Sequence, residues 1–306
     1  MIKIDHRQVK TRETVHHPER LTRPLIKTYG RFIETDWDEA LEYTCSKLVR
    51  YQPAEVAVVA SANATNEEIY LIQKFARAVL GTNSVDLCSR NNVQGARDMS
   101  APPDFLTRYQ QSPDDTIRIK FETAWGVKLP QKAGLTIGGM LDDIEMGIIK
   151  ALYIVGENIM LSHPDLTRIA KMLAKLQFLV VQDILHTETT AVANVVLTSA
   201  GFAEKDDTFT DTELRGQRVH SAVDPAADSR PGWWITNELG KRLGGKGFEY
   251  TGPEQIFDEM QALTPGCYTG MTSSILTKDG LLWPYPAEYH PGTAVRLAKI
   301  NTGASS

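Results

Sequence analysis

Short apolar runs alternate with amphipathic stretches through the middle of this chain. VAVVA at 56–60, ALYIV at 151–155 and FLVVQ at 178–182 are continuous apolar runs of strand length, and NVVLT at 194–198 follows the same pattern. Strands that lack polar alternation are covered on both faces, so these runs predict a mostly parallel sheet with helices on both sides. The expected fold class is α/β: a doubly wound, Rossmann-like sheet with a helical or irregular flanking segment.

Two helices between the strands have clear start signals. Asp36 with Glu39, and Thr65 with Glu68, have the three-residue spacing of a capping box. After the first cap the predicted apolar face consists of Ala40, Leu41, Thr44, Leu48 and Val49. After the second cap it consists of Ile69, Ile72, Phe75, Ala76 and Val79, and Gly81 is expected to end that helix.

Changes in hydrophobic periodicity and polarity along the sequence divide the chain into three predicted parts. Residues 1–35 form an arm that has little periodicity and ends in a short hairpin around Tyr29. Residues 36–200 hold the predicted sheet domain. Residues 201–306 form the flanking segment, which begins with the polar, turn-rich AEKDDTFTDTELRGQRV, continues with two helices and ends in a proline-rich tail. The two helices are expected around Trp233–Leu243 and Pro253–Leu263.

Residues 61–110 carry the most informative sequence, in which SANATNEEIYLIQKFARAVLGTNSVDLCSR runs directly into NNVQGARDMSAPPDFLTRYQ. Both halves resemble the catalytic subunit of molybdenum- or tungsten-dependent formate dehydrogenases, which belong to the molybdopterin oxidoreductase family. In that family an inserted domain separates the two halves, and the active-site cysteine or selenocysteine, followed by histidine, stands where it begins. Here Asn91 follows Arg90 directly. The resemblance therefore implies a formate dehydrogenase-like chain without its reactive centre.

The resemblance continues in order through nearly the whole chain, up to HPGT at 290–293. It begins just beyond the four-cysteine iron–sulfur domain of the family and ends before the C-terminal cap domain, so both pieces are expected to be absent. What remains resembles the α/β domain that holds half of the bis-molybdopterin guanine dinucleotide cofactor. Domain-sized absences favour a folded product, because the two halves belong to one packed unit.

Ligands in open α/β sheets bind beyond the carboxyl ends of strands, where loops and helix starts present backbone N–H groups. Three loops qualify here, and in the resembled family they face the dinucleotide. The candidate cofactor-binding residues are Ser61, Asn63, Thr65, Asn66, Asn92, Gln94, Gly95, Gly156, Glu157, Asn158, Gln182, Asp183, His186, Thr187 and Thr189. Asp183 is the candidate for the guanine edge, because a carboxylate can accept two adjacent N–H groups. The alternative is ordinary helix capping and turn chemistry.

Departures from the family pattern fall on the cofactor side. Family members commonly carry Lys or Arg at position 63, Cys at 97, Gly at 207, Asn at 211 and Arg at 214, where this chain has Asn63, Arg97, Asp207, Asp211 and Leu214. Lost positive charge and added acid disfavour a ligand with several phosphates. One lost phosphate contact costs about 1 to 3 kcal/mol, up to roughly a hundredfold in affinity.

Composition narrows the function classes. Lys and Arg number 33 against 38 Asp and Glu, without a basic run, so nucleic-acid binding is not expected. The polar start predicts neither a signal peptide nor a membrane segment, which makes cytoplasmic location the default. The isolated Cys45, Cys88 and Cys267 predict no disulfide and no iron–sulfur cluster. The histidines form no H-x-x-x-H or H-E-x-x-H pair, so a metal would need ligands from a partner chain.

Three functions remain open. The preferred hypothesis is a degenerate relative that is not catalytic alone. It serves as an accessory or scaffold subunit of a formate dehydrogenase-type complex, with protein partners or a second copy, and with guanine-dinucleotide binding either retained or lost. The second is a cofactor-binding component of an active formate dehydrogenase, completed by other chains. The third is a carrier of molybdopterin guanine dinucleotide. No catalytic residue is assigned in this chain.

Overall fold

A computed structural model describes residues 15–88, 93–99, 102–107, 110–211, 214–264, 270–271, 276 and 280–282. The strands are β1 (Leu25–Thr28), β2 (Arg31–Glu34), β3 (Val56–Ser61), β4 (Val85–Cys88), β5 (Phe105–Leu106), β6 (Gln110–Gln111), β7 (Ala151–Val155), β8 (Phe178–Asp183), β9 (Val195–Thr198), β10 (Asp207–Thr210), β11 (Arg215–Val219) and β12 (Leu281–Leu282). The helices are α1 (Trp37–Leu48), α2 (Asn66–Lys74), α3 (Val93–Asp98), α4 (Asp115–Trp125), α5 (Ile137–Glu145), α6 (Ile159–Ser162), α7 (Leu166–Leu173), α8 (Glu188–Val192), α9 (Gly232–Arg242) and α10 (Pro253–Leu263).

Within these residues, a seven-stranded sheet has the order β2-β1-β9-β8-β7-β3-β4. The strands β4, β3, β7, β8 and β9 pair in parallel, and the hairpin β1–β2 joins the edge of β9 in antiparallel pairing. The mixed α/β fold with a mostly parallel sheet confirms the predicted fold class. The predicted hairpin also forms, and its pairing with β9 makes it part of the sheet.

The sheet separates two hydrophobic cores because successive side chains of a strand point to opposite faces. Val58 and Ala60 of β3 pack with α1, α2, α9 and α10, whereas Ala57 and Val59 pack with α5, α6 and α7. Helices therefore cover both faces, as the continuous apolar runs predicted. No helix among the described residues is long and apolar enough to cross a membrane.

Both predicted helix starts are confirmed. Asp36 accepts a hydrogen bond from the backbone N–H of Glu39, and Thr65 and Glu68 form a reciprocal capping box. Every residue of α2 is buried, including the face that the sequence made polar, and the chain continues as a π-helix over Phe75–Val79. For α1 the predicted apolar face is correct except at Val49, which is 70% exposed.

The segment after residue 200 packs on the same core as β3. Trp233, Ile235 and Leu239 of α9 and Phe257 of α10 belong to that core, which confirms the two predicted helices. The turn-rich stretch before them forms the antiparallel pair β10–β11, which the sequence did not predict. The domain boundaries at residues 35 and 200 stay predictions. His6, Cys267, His290, Asn92 and the Arg90–Asn91 junction lie outside the described residues.

Candidate functional site

A pocket of about 230 Å³ lies beyond the carboxyl ends of β3, β7 and β8. β4 pairs with one edge of β3, and β7 pairs with the other edge. The direction in which strands are added to the sheet therefore reverses between β3 and β7. Such a reversal opens a crevice at the carboxyl ends of the strands, where α/β proteins bind ligands. The position of the pocket therefore follows from the strand order.

Five of the predicted residues line this pocket: Ser61, Asn63, Gly156, Gln182 and Asp183. Gly156 follows β7 with φ of +64°, a conformation that favours glycine, and a Cβ atom there would lie 3.3 Å from Cβ of Ser61. Its N–H donates to the carbonyl oxygen of Gln182 at 2.7 Å. The small or polar side chains at the strand ends therefore leave the pocket unfilled.

Other predicted residues make internal contacts. Thr65 caps α2, and the amide of Asn66 donates to Oγ1 of Thr208 at 2.9 Å. Asn158 donates to Glu188 and accepts from Oγ1 of Thr189 at 2.8 Å. These contacts are the capping and turn chemistry that stood as the alternative to ligand binding.

The remaining predicted residues either do not line the pocket or have side chains that are not described. Glu157 is buried, His186 is exposed, and Thr187 caps α8 by accepting from the N–H of Thr190. Gln94 and Gly95 lie in α3, where only the backbone is described. A cofactor role for all these residues stays a prediction.

Asp183 is the buried acid at the end of β8. Its Oδ1 accepts the N–H of Ile184 at 2.7 Å. Burial raises the pKa of Asp183 to about 6, although backbone N–H groups and the nearby Arg20 favour its charged form. Arg20 donates to the carbonyl of Ile184 at 2.9 Å and pairs with Glu204, which ties this loop to the segment after β9. Asp183 is therefore a fixed acceptor that is mostly ionised at neutral pH.

Sequence patterns missed the opposite wall of the pocket, which residues 199–209, α2 and Ala64 just before α2 supply. Its members are Ala64, Glu68, Ser199, Ala200, Gly201, Phe202, Lys205 and Phe209. Lys205 and Glu68 form a buried ion pair, and Lys205 Nζ lies 3.5 Å from Oδ2 of Asp207. The sequence signal that could have revealed this wall is the adjacent acids Glu67 and Glu68 in the first turn of α2, because acids that become buried require a cationic partner.

Glu67 and Asp207 extend this ion pair into a buried charge cluster, which we define as Glu67, Glu68, Lys205 and Asp207. Glu67 accepts from the N–H of Thr208 at 2.9 Å and from its hydroxyl at 2.7 Å. Burial raises the pKa of Glu67 to about 7 and that of Asp207 well above its ordinary value. Burial alone lowers the pKa of Lys205, but Glu68 and Asp207 outweigh it and raise that pKa.

Two observations on the described residues concern metal ligands and the thiol of Cys45. No group of three or more His, Cys, Asp and Glu there could hold a metal ion. Cys45 is a free, buried thiol, and burial raises its pKa to about 11. A thiol of that pKa is protonated at neutral pH and is a poor nucleophile.

Gly232 provides a test of how tightly this wall is packed. Its N–H donates to Oε1 of Glu68 at 3.0 Å, and a Cβ atom would lie 2.3 Å from that oxygen and 2.6 Å from Nε2 of Gln182. We expect Gly232→Ala to lower the free energy of unfolding by about 1 to 3 kcal/mol in urea titrations, because the wall must shift. Gly138→Ala in α5 is the control, since no atom comes closer than 4.0 Å and alanine favours helix. An unchanged stability for Gly232→Ala would contradict this packing.

Comparison with known proteins places this geometry in a family. The family model of molybdopterin oxidoreductases matches residues 20–112 and 89–242. The two matches overlap at residues 89–112, which include the Arg90–Asn91 junction between two segments that are distant from each other in the resembled family. Together they cover the sheet, the pocket and α9.

Related chains carry formate dehydrogenase names. The F420-dependent formate dehydrogenase subunit alpha of Methanocaldococcus jannaschii is 44% identical over 216 residues, which are 70% of this chain and 32% of the relative. The putative formate dehydrogenase YrhE of Bacillus subtilis is 39% identical over 222 residues, 67% of this chain and 23% of the relative. This chain thus spans a third or less of these relatives.

A longer alignment exists with the F420-dependent formate dehydrogenase 2 subunit alpha of Methanococcus maripaludis, which is 27% identical over 483 residues, covering 92% of this chain and 71% of the relative. Acetylene hydratase from Pelobacter acetylenicus has the same fold, with a TM-score of 0.65 at 11% identity over 89% of this chain and 67% of that chain. The structural likeness bears on the fold alone. With the family model matched over most of the chain, the protein is a member of the molybdopterin oxidoreductase family.

Proposed function

We propose that this chain is a non-catalytic accessory or scaffold subunit of a formate dehydrogenase-type oxidoreductase complex in the cytoplasm. Its sheet keeps the architecture of a cofactor domain, and its pocket sits where such a domain binds a ligand. The reactive centre of the resembled enzymes has no counterpart at the Arg90–Asn91 junction. Chemistry on formate would then belong to another chain of the complex.

The observation that carries this proposal is the excess length of one alignment. The 483 aligned positions with the Methanococcus maripaludis subunit exceed by roughly 200 the part of this chain that takes part, which is 92% of 306 residues. Gap positions of that total number correspond to the size of a domain. Their occurrence inside one alignment supports the loss of a whole inserted domain, and the overlapping family matches at 89–112 support its place.

The family implies a molybdopterin-type cofactor, and the pocket residues allow a test of its fit. Ser61, Gly156 and Asp183 at the strand ends fit a flat heterocyclic base that donates N–H groups. Lys205 is the cation among the described lining residues, and it is already paired with Glu68. These residues therefore fit a base and do not fit a polyphosphate, and no reaction step is assigned through such a group.

Partner chains are part of the proposal. Two of the relatives are named as alpha subunits, a name that implies companion subunits for those proteins. A chain that lost a domain exposes surfaces that were internal, and such surfaces require a partner or a second copy. The expected partner is another subunit of a formate dehydrogenase-type complex.

A second candidate function is a cofactor-binding component of an active formate dehydrogenase, or a carrier of molybdopterin guanine dinucleotide. The position of the pocket at the strand-order reversal favours it, because α/β sheets bind ligands at that point and the chain belongs to the molybdopterin oxidoreductase family. The ion pair between Lys205 and Glu68 counts against this second candidate, because the lysine is already neutralised and is not free to bind a phosphate.

The deciding experiment uses the full chain purified anaerobically from its native host. Bound small molecules are released by denaturation and identified by mass spectrometry, molybdenum and tungsten are measured by elemental analysis, and formate-dependent dye reduction is assayed. We expect the isolated chain to lack formate oxidation and stoichiometric metal, and to co-purify with a formate dehydrogenase-type subunit. An alpha subunit that retains the inserted domain is the positive control.

Two outcomes would decide against the proposal. Formate oxidation by the isolated chain with bound metal would make it an enzyme. Stoichiometric pterin dinucleotide without activity would make it a carrier, and Asp183 would then be the residue to mutate.

A further inference from the structure

A second cleft lies at the amino ends of the parallel strands, at the end of the sheet opposite the pocket between β3 and β7. It measures about 520 Å³. Glu55, Lys150 and Asn194, which immediately precede β3, β7 and β9, line it together with the end of α1 and the residues that follow that helix. Strands of five or six residues span roughly 15 to 20 Å, so the cleft and the pocket are separate sites.

Positive charge predominates in this cleft, which we call the basic cleft. Its cations are Lys47, Arg50 and Lys150, and Glu55 is the one acid among its described lining residues. Lys150 forms an ion pair with Glu55. In the described part of the chain, neither Lys47 nor Arg50 pairs with an acid; Lys47 Nζ lies over the ring of Tyr43, 5.0 Å from its centre. Two positive charges of the basic cleft are therefore not neutralised.

The end of α1 holds these two cations side by side. Tyr43, Lys47 and Arg50 are spaced four and three residues apart, so they share one side of the helix end. Nε of Arg50 donates to the carbonyl oxygen of Ser46 at 3.0 Å, and the N–H groups of residues 49–51 donate to the other last carbonyl oxygens of α1. The helix end is thus capped from within the chain, and the two terminal nitrogens of the Arg50 guanidinium remain available to a ligand.

Asn194 adds a neutral donor in a fixed position. Its Oδ1 accepts the N–H of Leu179 at 2.7 Å, and its own backbone N–H donates to the carbonyl oxygen of Leu179 at 2.8 Å. Because the sheet holds the amide oxygen, the amide nitrogen is the group of Asn194 that remains for a ligand. Its donors complement those of Arg50 and Lys47, and all three suit an anion.

The charges in the basic cleft indicate the class of anion. Like charges on one side of a helix end repel each other, so Lys47 and Arg50 weaken the helix slightly unless an anion joins them. A guanidinium binds phosphate through two parallel N–H···O bonds, and an ammonium binds it as a point charge. A dianion balances both positive charges at once, whereas a monocarboxylate balances one.

We propose that the basic cleft binds a dianionic phosphate group, either free phosphate or the phosphate of a small monoester, through Arg50, Lys47 and the amide of Asn194. The inference goes beyond the proposed function and does not rest on it, because the cleft lies at the other end of the sheet from the pocket. At about 520 Å³ the cleft is within the range of roughly 300 to 1,000 Å³ that is usual for small-molecule sites, which leaves room for the rest of a monoester.

Calorimetric titration of the purified full chain with inorganic phosphate, glucose 6-phosphate and acetate at about pH 8 tests this inference, since a phosphate then carries nearly two charges. We expect a dissociation constant below about 1 mM for at least one of the two phosphates, and binding of acetate that is at least about tenfold weaker. Tighter binding of inorganic phosphate would assign the site to the free anion, and tighter binding of glucose 6-phosphate would assign it to a monoester.

Arg50→Gln and Lys47→Gln are each expected to weaken phosphate binding by at least about tenfold, because each removes a charge-assisted hydrogen bond. Lys171→Gln is the matched control, since Lys171 also stands in the last turn of a helix, α7, but is exposed and lies outside the cleft. It should leave the affinity within about twofold. Without phosphate, the melting temperatures of the two cleft variants should equal or exceed that of the wild type, because repulsion between the cations is removed.

The inference would be overturned if neither phosphate showed saturable binding, if acetate bound equally well, or if Lys171→Gln lost as much affinity as the cleft variants. Lower melting temperatures of both cleft variants would assign Lys47 and Arg50 a structural role instead. A polyglutamate peptide that bound more tightly than either phosphate, and lost its affinity in Arg50→Gln, would assign the cleft to an acidic protein segment. Formate oxidation and partner identity are measured separately, so the inference and the proposed function can fail independently.

Discussion

Replacing Lys74 by methionine is expected to lower the free energy of unfolding by about 3 kcal/mol, because it removes one partner of a buried ion pair. Lys74 is at the end of α2, its side chain is 1% exposed, and its Nζ lies 2.9 Å from Oε1 of Glu259 in α10. The pair therefore links the sheet domain to the last described helix.

The surroundings of Lys74 explain the size of this effect. Its ammonium also donates to the carbonyl of Gly247 at 2.8 Å and to the hydroxyl of Tyr250 at 2.7 Å, and it lies 5.1 Å from the ring centre of Phe248. Burial lowers the pKa of Lys74, while Glu259 opposes that shift. Methionine fills a similar volume, but it leaves these acceptors without their donor.

Urea unfolding of Lys74→Met, Glu259→Gln and the double variant measures the coupling between the two groups. The double variant should cost less than the sum of the single ones, because neither charge is then left alone. Lys241→Met is the control, since Lys241 also stands in the last turn of a helix but is exposed, and its change should stay within about 0.5 kcal/mol. Additive losses would show that the pair is not energetically coupled.

The elements that could be predicted are those whose signal is local. β3, β7 and β8 are continuous apolar runs, and the caps at Asp36 and Thr65 depend on residues three positions apart. Each of these patterns can be recognised without knowledge of distant contacts, because it depends only on residues close together in the sequence. The same holds for the hairpin at Tyr29, where φ is 49° and the turn sits between two short strands.

Elements that depend on distant contacts were missed. β4 has only four residues, and its pairing with β3 identifies it as a strand. Helix α5 begins with Ile137, Gly138 and Gly139, which have poor local preference for helix, and packing of Met140 and Leu141 in the second core holds it. Tertiary packing decides such segments, and periodicity alone does not reveal it.

The candidate site divides in the same way. Strand ends located Ser61, Gly156 and Asp183, because a ligand crevice follows from sheet order. The opposite wall escaped prediction since Lys205 and Asp207 lie in a polar stretch that looks like an exposed turn. Lys205 pairs with Glu68 on α2, which is 137 positions earlier in the chain, and no local pattern encodes a contact over that separation.

Buried acids connect the site to the stability of the fold. Glu67, Glu68 and Asp207 share one lysine among the described residues of the buried charge cluster, so they cannot all be ionised without an unpaired charge. Protonation of Glu67 and Asp207 relieves this excess. The buried charge cluster is therefore most stable at a pH at which some of its acids keep their protons.

Stability is accordingly expected to fall as the pH rises from about 4.5 to about 7. Burial raises the pKa of Glu67 from 4.5 to about 7 and that of Asp183 from 3.8 to about 6. A carboxyl group with a raised folded-state pKa stabilises the fold fully below its unfolded pKa, and this contribution is lost as the pH passes through the folded value. With about 1.4 kcal/mol per pKa unit, the two groups together account for a loss on the order of several kcal/mol.

Glu67→Gln should remove the contribution of Glu67 to the fall in unfolding free energy with rising pH. Urea unfolding at pH 4.5, 6 and 8 measures it, and the decisive quantity is the change between pH values, because glutamine also alters the hydrogen bonds from Thr208 at every pH. Glu55, Glu122 and Glu188 have lowered pKa values, so their contributions are lost only below about pH 4.5 and leave this window unaffected. Glu42→Gln, at an exposed glutamate, is the control and should keep the wild-type slope. If Glu67→Gln kept it too, the proton that relieves the buried cluster would have to reside on Asp207 alone, and Glu67 would stay ionised through its two bonds from Thr208.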